Sequence, residues 1–408
     1  MPVPKRILFF TEAVTLAHLA RPVALAKSLD TARYAVLMAH DARYRRFLEQ
    51  EPLSTLPLHS ITTQQFLRAL ASGRPVYHTA TLRRYVAEDL ALIEQSKPDI
   101  IVGDFRLSLS ISARLVGIPY VTITNAYWSQ YYLFKEFPLP VLPMTRVLPL
   151  AWAKTLFRLA QPWAFALHTR PLNRVRRENG LFSLGSDLRR IYGDADYILY
   201  ADVPVLFPTE TLPGNHDYLG PILWSPQLPR PAWWNQLPTD KPIIYLTLGS
   251  SGQATLLPLV LSALSNLPVT VMLATAGAAV PAPLPKNVYV ADYIPGTEAA
   301  ARAALVICNG GSPTSQQALT AGVPVLGIAS NMDQFMNMEA LARAAVGHAL
   351  RSDRLEIAPL RALVVKMLAD TTLKQNAASL AEVLSAWDAS RRFNTFMDRI
   401  TGFAERFD

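Results

Sequence analysis

The stretch from Val306 to Met338, VICNGGSPTSQQALTAGVPVLGIASNMDQFMNM, carries the reading of this chain. A short apolar run ends at Asn309-Gly310-Gly311, a helical segment opens at Ser312, and Gly322-Val323-Pro324 turns into a second apolar run. A polar segment with Asp333-Gln334 follows. Apolar runs of this length bounded by Gly and Pro read as buried parallel strands. A Gly-Gly turn between strand and helix lets backbone N–H groups at the helix N-terminus approach an anion. An ordinary tight corner between strand and helix has the same appearance, so one such turn does not settle the matter. A second lies upstream in LTLGSSGQATLLPLV, where a strand runs into Gly249-Ser250-Ser251-Gly252 and then a helix. Two such turns in one half of the chain favour a cradle for a diphosphate.

Working outward, the second half holds IIYLTLG (243–249), VTVMLA (269–274), NVYVADY (287–293), ALVICN (304–309) and VPVLGI (323–328). The first half has the same rhythm, with RILFF (6–10), YAVLMA (34–39), DIIVGD (99–104) and YVTIT (120–124). Strands alternating with helices in both halves predict an α/β protein of two doubly wound, Rossmann-like parallel-sheet domains. Between Pro204 and Pro242 lie nine prolines and three tryptophans, with few helix signals. The expected division is therefore 1–217, a Pro-rich connector at 218–240, a second domain at 241–385, and a C-terminal helix at 386–408 that packs back on the first.

The chain has 408 residues, half of them hydrophobic and only 17% charged, which excludes a disordered protein. No internal repeat is visible. A single cysteine, Cys308, excludes an intrachain disulfide and a Cys-based zinc cage, and fits a reducing compartment. The apolar run after the basic start is too short for a signal peptide, and no uncharged stretch reaches the roughly 18 residues of a membrane span. The expected location is cytoplasmic, with a peripheral place on the inner face of the membrane as its extension. The net charge of +8 calls for a partner or another explanation, and charge alone does not choose between them. Aromatic residues are not interleaved with Lys and Arg in any nucleic-acid-binding motif, so nucleic acid is not expected. A phosphorylated substrate and an anionic membrane surface both remain open.

The 306–338 stretch resembles the nucleotide-sugar domain of GT-B glycosyltransferases, the superfamily of UDP-glycosyltransferases that includes antibiotic, carotenoid and glycolipid enzymes. The family pattern His-Gly-Gly-x-Gly-Thr-x-x-Glu-Ala-Leu reads here as Asn309-Gly310-Gly311-Ser312-Pro313-Thr314-Ser315-Gln316-Gln317-Ala318-Leu319. Gly322-Val323-Pro324 and then Asp333-Gln334 with Asn337 complete it. The resemblance implies two domains facing across a cleft, with a nucleotide-diphosphate sugar as co-substrate and neither cofactor nor metal. It places the diphosphate on Ser250, Ser251, Asn309, Gly310, Gly311, Ser312 and Thr314, the nucleoside on Tyr293, Ile294 and Gln317, and the donor sugar on Asp333 and Gln334. Three positions depart from the family. Asn309 replaces a histidine, Pro313 replaces a glycine and removes an N–H, and Gln317 replaces a glutamate.

In the first half, TLAHLARPVALAKSL is similar to the family's Gly-His-x-x-Pro-x-x-x-Leu-Ala, with His18 and Pro22 in place and Ala17 where Gly is usual. The resemblance makes His18 the general base and Asp104, at the end of PDIIVGD, the carboxylate that orients it. Taken alone, a histidine near a helix start has surface or capping duty. The segment 125–180 is rich in Trp, Tyr, Phe and Leu, with Lys and Arg but only Glu136 and Glu178 as acids. It reads as the cover of an apolar acceptor pocket or as a surface facing lipid.

The expected function is an inverting, metal-independent transferase moving a UDP- or TDP-hexose sugar to a hydroxyl of a small apolar or lipid-linked acceptor. The competing reading is a catalytically weak, glycosyltransferase-like partner subunit. Asn309, Pro313 and Gln317 support it, while His18, Asp104, Asp333 and Gln334 oppose it. A GT-B sugar epimerase is disfavoured by the lack of a carboxylate-rich signature in the first domain.

Overall fold

The structure, a computed structural model, describes residues 3–249, 252–280 and 282–403, so Ser250 and Ser251 lie outside the described residues. The chain forms two compact units. The first comprises 1–135, 151–224 and 387–408; the second comprises 136–150 and 225–386.

The first unit is built on a parallel sheet of β1 (Lys5–Thr11), β2 (Tyr34–His40), β3 (Ser54–Pro57), β4 (Ile100–Asp104), β5 (Tyr120–Thr124), β6 (Tyr197–Tyr200) and β7 (His216–Tyr218). Their spatial order is β3-β2-β1-β4-β5-β6-β7. β1 and β4 therefore flank the point where the order reverses, and loops at their carboxyl ends diverge to leave a crevice. The register pairs Thr11 with Asp104, so the ends of the two strands lie side by side. The inner residues of β1 and β4 are apolar and fully buried, as strands covered on both faces require.

The second unit repeats this plan with β8 (Ile243–Thr247), β9 (Thr270–Ala274), β10 (Val288–Ala291), β11 (Leu305–Cys308), β12 (Val325–Ala329) and β13 (Gly347–Arg351). The order is β10-β9-β8-β11-β12-β13. Here the reversal falls between β8 and β11, with Thr247 in register with Cys308. The two glycine-bearing turns singled out in the sequence follow these two strands.

The division of the chain differs from the continuous one expected. Residues 136–150 belong to the second unit although both neighbouring segments belong to the first. Pro138 and Pro140 keep its first part out of helix, Pro143 opens the short helix Pro143–Val147, and the segment is held by hydrogen bonds. Val141 N–H donates to the Ser330 carbonyl at 2.7 Å, and Arg351 donates to the Leu139 carbonyl at 2.7 Å. The segment 218–240 is likewise no free connector, because it changes unit between Trp224 and Ser225. Its later part is packed down, with the Trp233 indole donating to the Val290 carbonyl and Arg302 donating to the Trp234 carbonyl.

The C-terminal helix Ala389–Thr401 packs in the core of the first unit. Phe393 is fully buried beside Phe9, with ring centroids 6.2 Å apart. Arg392 ties it to the Tyr218 carbonyl and Asn394 to the Ser28 carbonyl. Phe393→Ala is expected to cost about 3–5 kcal/mol, lowering the unfolding midpoint of the first unit on the order of 10 °C. Differential scanning calorimetry resolves this, and a midpoint unchanged from wild type would show that the helix is not part of that core.

Candidate functional site

In the first unit, the helix Ala17–Ser28 begins just after β1 and carries His18 in its opening turn. Asp104 closes β4 with its side chain sealed from solvent, while the His18 side chain keeps 17% of its surface exposed. His18 Nδ1 lies 2.7 Å from Asp104 Oδ1. Two lone pairs would repel at that distance, so Nδ1 carries the hydrogen and donates it. Nε2 then holds the lone pair. The ring stacks on Phe105 with centroids 4.7 Å apart and an interplanar angle of 13°. Phe105 takes a left-handed backbone conformation, φ +60°, which turns its ring onto the histidine at a local cost in strain.

Asp104 has a second partner. Arg21, one turn along the helix from His18, donates from Nε to Asp104 Oδ2 at 2.8 Å and from Nη2 to Oδ1 at 2.9 Å. This is a bidentate, charge-assisted pair in a buried place. Arg21 Nη1 also donates to Asn125 Oδ1 at 2.8 Å, and the Asn125 amide donates to Asp202 Oδ1 at 3.1 Å. The Ala126 N–H donates to Asp202 at 2.6 Å. The network thus joins the first helix to the ends of β4, β5 and β6.

Aromatic side chains surround this group. Phe105 meets Tyr192 at 5.5 Å, Phe66 at 6.0 Å and Tyr77 at 6.2 Å between centroids, and Trp128 meets Tyr192 at 4.8 Å. Next to them, Arg106 is buried between Glu12 at 3.0 Å and Asp89 at 2.9 Å, with its guanidinium 3.6 Å over the Tyr85 ring. Burial pushes the Glu12 carboxyl above its ordinary range even though Arg106 and Tyr85 pull the other way.

In the second unit, Asn309-Gly310-Gly311 joins β11 to the helix Ser312–Thr320. Gly310 sits at φ +81°, and a Cβ there would come within 2.8 Å of Met338 Cγ. Both conformation and space demand glycine. Asn309 turns its side chain back so that Oδ1 accepts the Gly311 N–H at 3.0 Å. Asn337 donates to the Gly310 carbonyl at 2.9 Å and to Ser315 Oγ at 3.1 Å, fixing the turn from below. Ser312 and Thr314 lie in the first turn of the helix, and Pro313 is accommodated there because the first turn has no partner for its missing N–H.

Tyr293 and Ile294 follow β10. The Tyr293 hydroxyl donates to the Ala276 carbonyl at 3.2 Å, and Ile294 is buried. Gln317 approaches this loop so closely that a Cβ on Gly296 would fall 2.5 Å from its Oε1. Asp333 and Gln334 open the helix Met332–Arg343, where they have different settings. Gln334 is buried and its Oε1 accepts the N–H groups of Ser330 and Asn331, as half of a capping box with Asn331. Asp333, beside it, is partly exposed. Among the described residues no three His, Cys, Asp or Glu side chains gather as a metal-ion site.

His18, Asp104 and the 309–314 turn are legible in the sequence, whereas Arg21, Asn125 and Asp202 are not. Only the three-residue offset of Arg21 from His18 could have pointed to the first; the other two meet it through the sheet.

These observations agree with comparison to known proteins. Residues 255–389 match the family model described as Erythromycin biosynthesis protein CIII-like, C-terminal domain. The chain is 54% identical over 378 residues to a PGL/p-HBAD biosynthesis glycosyltransferase of Mycobacterium tuberculosis, covering 93% of this chain and 88% of the relative. It is 53% identical over 378 residues to a PGL/p-HBAD biosynthesis rhamnosyltransferase of Mycobacterium bovis, covering 93% and 84%. The structure of the spinosyn rhamnosyltransferase SpnG complexed with thymidine diphosphate shares the fold, with a TM-score of 0.67 at 18% identity, covering 96% of this chain and all of that one. The fold is GT-B. The chain belongs to the family of the PGL/p-HBAD biosynthesis glycosyltransferases and is itself a glycosyltransferase.

Proposed function

We propose that this glycosyltransferase inverts the anomeric centre, without a metal, as it moves a sugar from a nucleotide diphosphate to a hydroxyl of an apolar, lipid-like acceptor. The observation that carries this reading is the 2.7 Å pairing of His18 Nδ1 with a sealed Asp104. It leaves Nε2 as the basic atom, on a side chain that is partly open. The acceptor O–H donates to Nε2, and its proton passes there as the oxygen attacks the anomeric carbon from the face opposite the leaving diphosphate. Asp104 stabilises the imidazolium that forms. Arg21 holds Asp104 at both oxygens, which fixes that carboxylate in place. The aromatic rings around Phe105 suit an apolar acceptor.

The second unit would hold the donor. Asn309, through its side-chain amide, and Gly310, Gly311, Ser312 and Thr314, at the N-terminus of their helix, are assigned to the diphosphate, whose growing negative charge the helix dipole stabilises. Ser250 and Ser251 are proposed with them from the sequence. Tyr293, Ile294 and Gln317 are assigned to the nucleoside, and Asp333, with Gln334 shaping its turn, to the sugar hydroxyls. The thymidine diphosphate held by the spinosyn enzyme supports a TDP or UDP donor. The rhamnosyltransferase relative makes a deoxyhexose such as rhamnose the sugar to try first, and the PGL/p-HBAD biosynthesis printed in both relatives' names makes intermediates of that biosynthesis the acceptors to try first.

His18→Ala is expected to lower turnover by about 10²–10⁴-fold with nucleotide affinity intact, and Asp104→Asn by less. Product NMR should show an inverted anomeric configuration, and EDTA should leave the rate unchanged. Near-normal turnover in His18→Ala, or a retained configuration, would overturn the mechanism. For the donor site, Asn309→Ala is expected to weaken TDP and UDP binding by about 1–3 kcal/mol, measured by isothermal titration calorimetry. Unchanged affinities for both nucleotides would remove the diphosphate from this turn.

A further inference from the structure

The helix Leu150–Glu178 buries Ala153, Phe157, Phe165 and Leu172 on one side and leaves a line of apolar side chains uncovered on the other. Trp152, Leu156, Leu159, Trp163 and Leu167 are all exposed, the two tryptophans at 71% and 78% of their surface. At 100° per residue their spacing confines them to an arc of about 80°. Continued toward the C-terminus, the same line runs through Arg170, Arg174 and Arg177, all exposed. From Phe137 to Arg177 the chain has no Asp or Glu, and Glu178 is already paired with Arg83 and Arg174.

Isolated exposed apolar residues are unremarkable, but a contiguous apolar stripe with two tryptophans marks a surface that meets something. Its layout along the helix is that of a membrane interface. Indole rings and leucines suit the boundary between acyl chains and headgroups, and arginines in line with them suit lipid phosphates. A second copy of the chain is a poorer match, since both the arginine end and the +8 net charge would oppose its approach. Among the described residues no helix is long and apolar enough to cross a membrane, so this contact lies along the surface.

We propose that this face rests on an anionic phospholipid surface, with the Trp152–Leu167 half entering the acyl boundary and Arg170 and Arg177 on lipid phosphates. The proposal is independent of the catalytic assignments, and its test uses no turnover. The full chain is sedimented with vesicles of phosphatidylcholine, with or without phosphatidylglycerol. It should pellet with the anionic vesicles and be released by high salt. The double change Trp152→Ser and Trp163→Ser should weaken binding by more than about tenfold, and Arg170→Gln by about fivefold, with circular dichroism matching wild type. Because Cys308 is buried, Leu159→Cys can be labelled selectively with a polarity-sensitive dye. Its emission should shift to the blue on anionic vesicles, whereas the same dye on exposed Lys366→Cys should not respond. Wild-type protein left in the supernatant with both vesicles would overturn the proposal, as would a tryptophan double variant that binds normally. A dye shift driven by protein concentration without lipid would assign the face to self-association instead.

Discussion

A carboxylate closed off from water at the end of a strand must be neutralised by partners the protein itself supplies. Asp104 is in that position, and much of the first unit is arranged around it. Arg21 has to project from the first helix at the level of β4, which fixes where that helix starts and how it lies on the sheet. The helix start in turn sets His18 at hydrogen-bond distance from Asp104 Oδ1, an oxygen it shares with Arg21 Nη2. Arg21 has one nitrogen left to satisfy, and Asn125 and Asp202 take it up at the ends of β5 and β6. Removing one member leaves a charge or donor without a counterpart in a place that water does not reach, so the group stands or falls together.

The second unit solves the corresponding problem by close approach rather than charge. Gly310 and Gly327 lie against Met338 so tightly that a Cβ on either would fall within 2.8 Å of its side chain. This draws the 309–311 turn down onto the helix Met332–Arg343, where Asn337 can reach the Gly310 carbonyl. Both units thus place their polar turns at the point where strand order reverses, one by an ion-pair lattice and the other by missing methyl groups.

Nine strands were legible as apolar runs, and all nine are present. Of the four that escaped, β3, β7 and β13 are edge strands, where one flank needs no continuous apolar run, and β6, four residues long, lies next to an edge. Among the candidate residues, His18 and Asp104 were legible because a motif and a strand end announce them. Arg21 was hidden inside a run that reads as amphipathic helix, and Asp202 follows a strand too short to notice. Gln334 adds a detail of setting: its Oε1 accepts the Ser330 and Asn331 N–H groups in a capping box, while Asp333 beside it is partly exposed. Side-chain direction at a helix start depends on the Asn three residues earlier, and spacing alone does not convey it.

The path of the chain between its two units has a practical side. It passes from one to the other four times, after residues 135, 150, 224 and 386. Hence no single cut yields either unit whole. A fragment ending at Trp224 would lose Phe393 from its core and carry 136–150 without the Ser330 and Arg351 groups that hold it. Exchanging the second unit with a relative's would mean transplanting 136–150 along with 225–386, so recombination within this family meets four seams where the order of strands alone would suggest one.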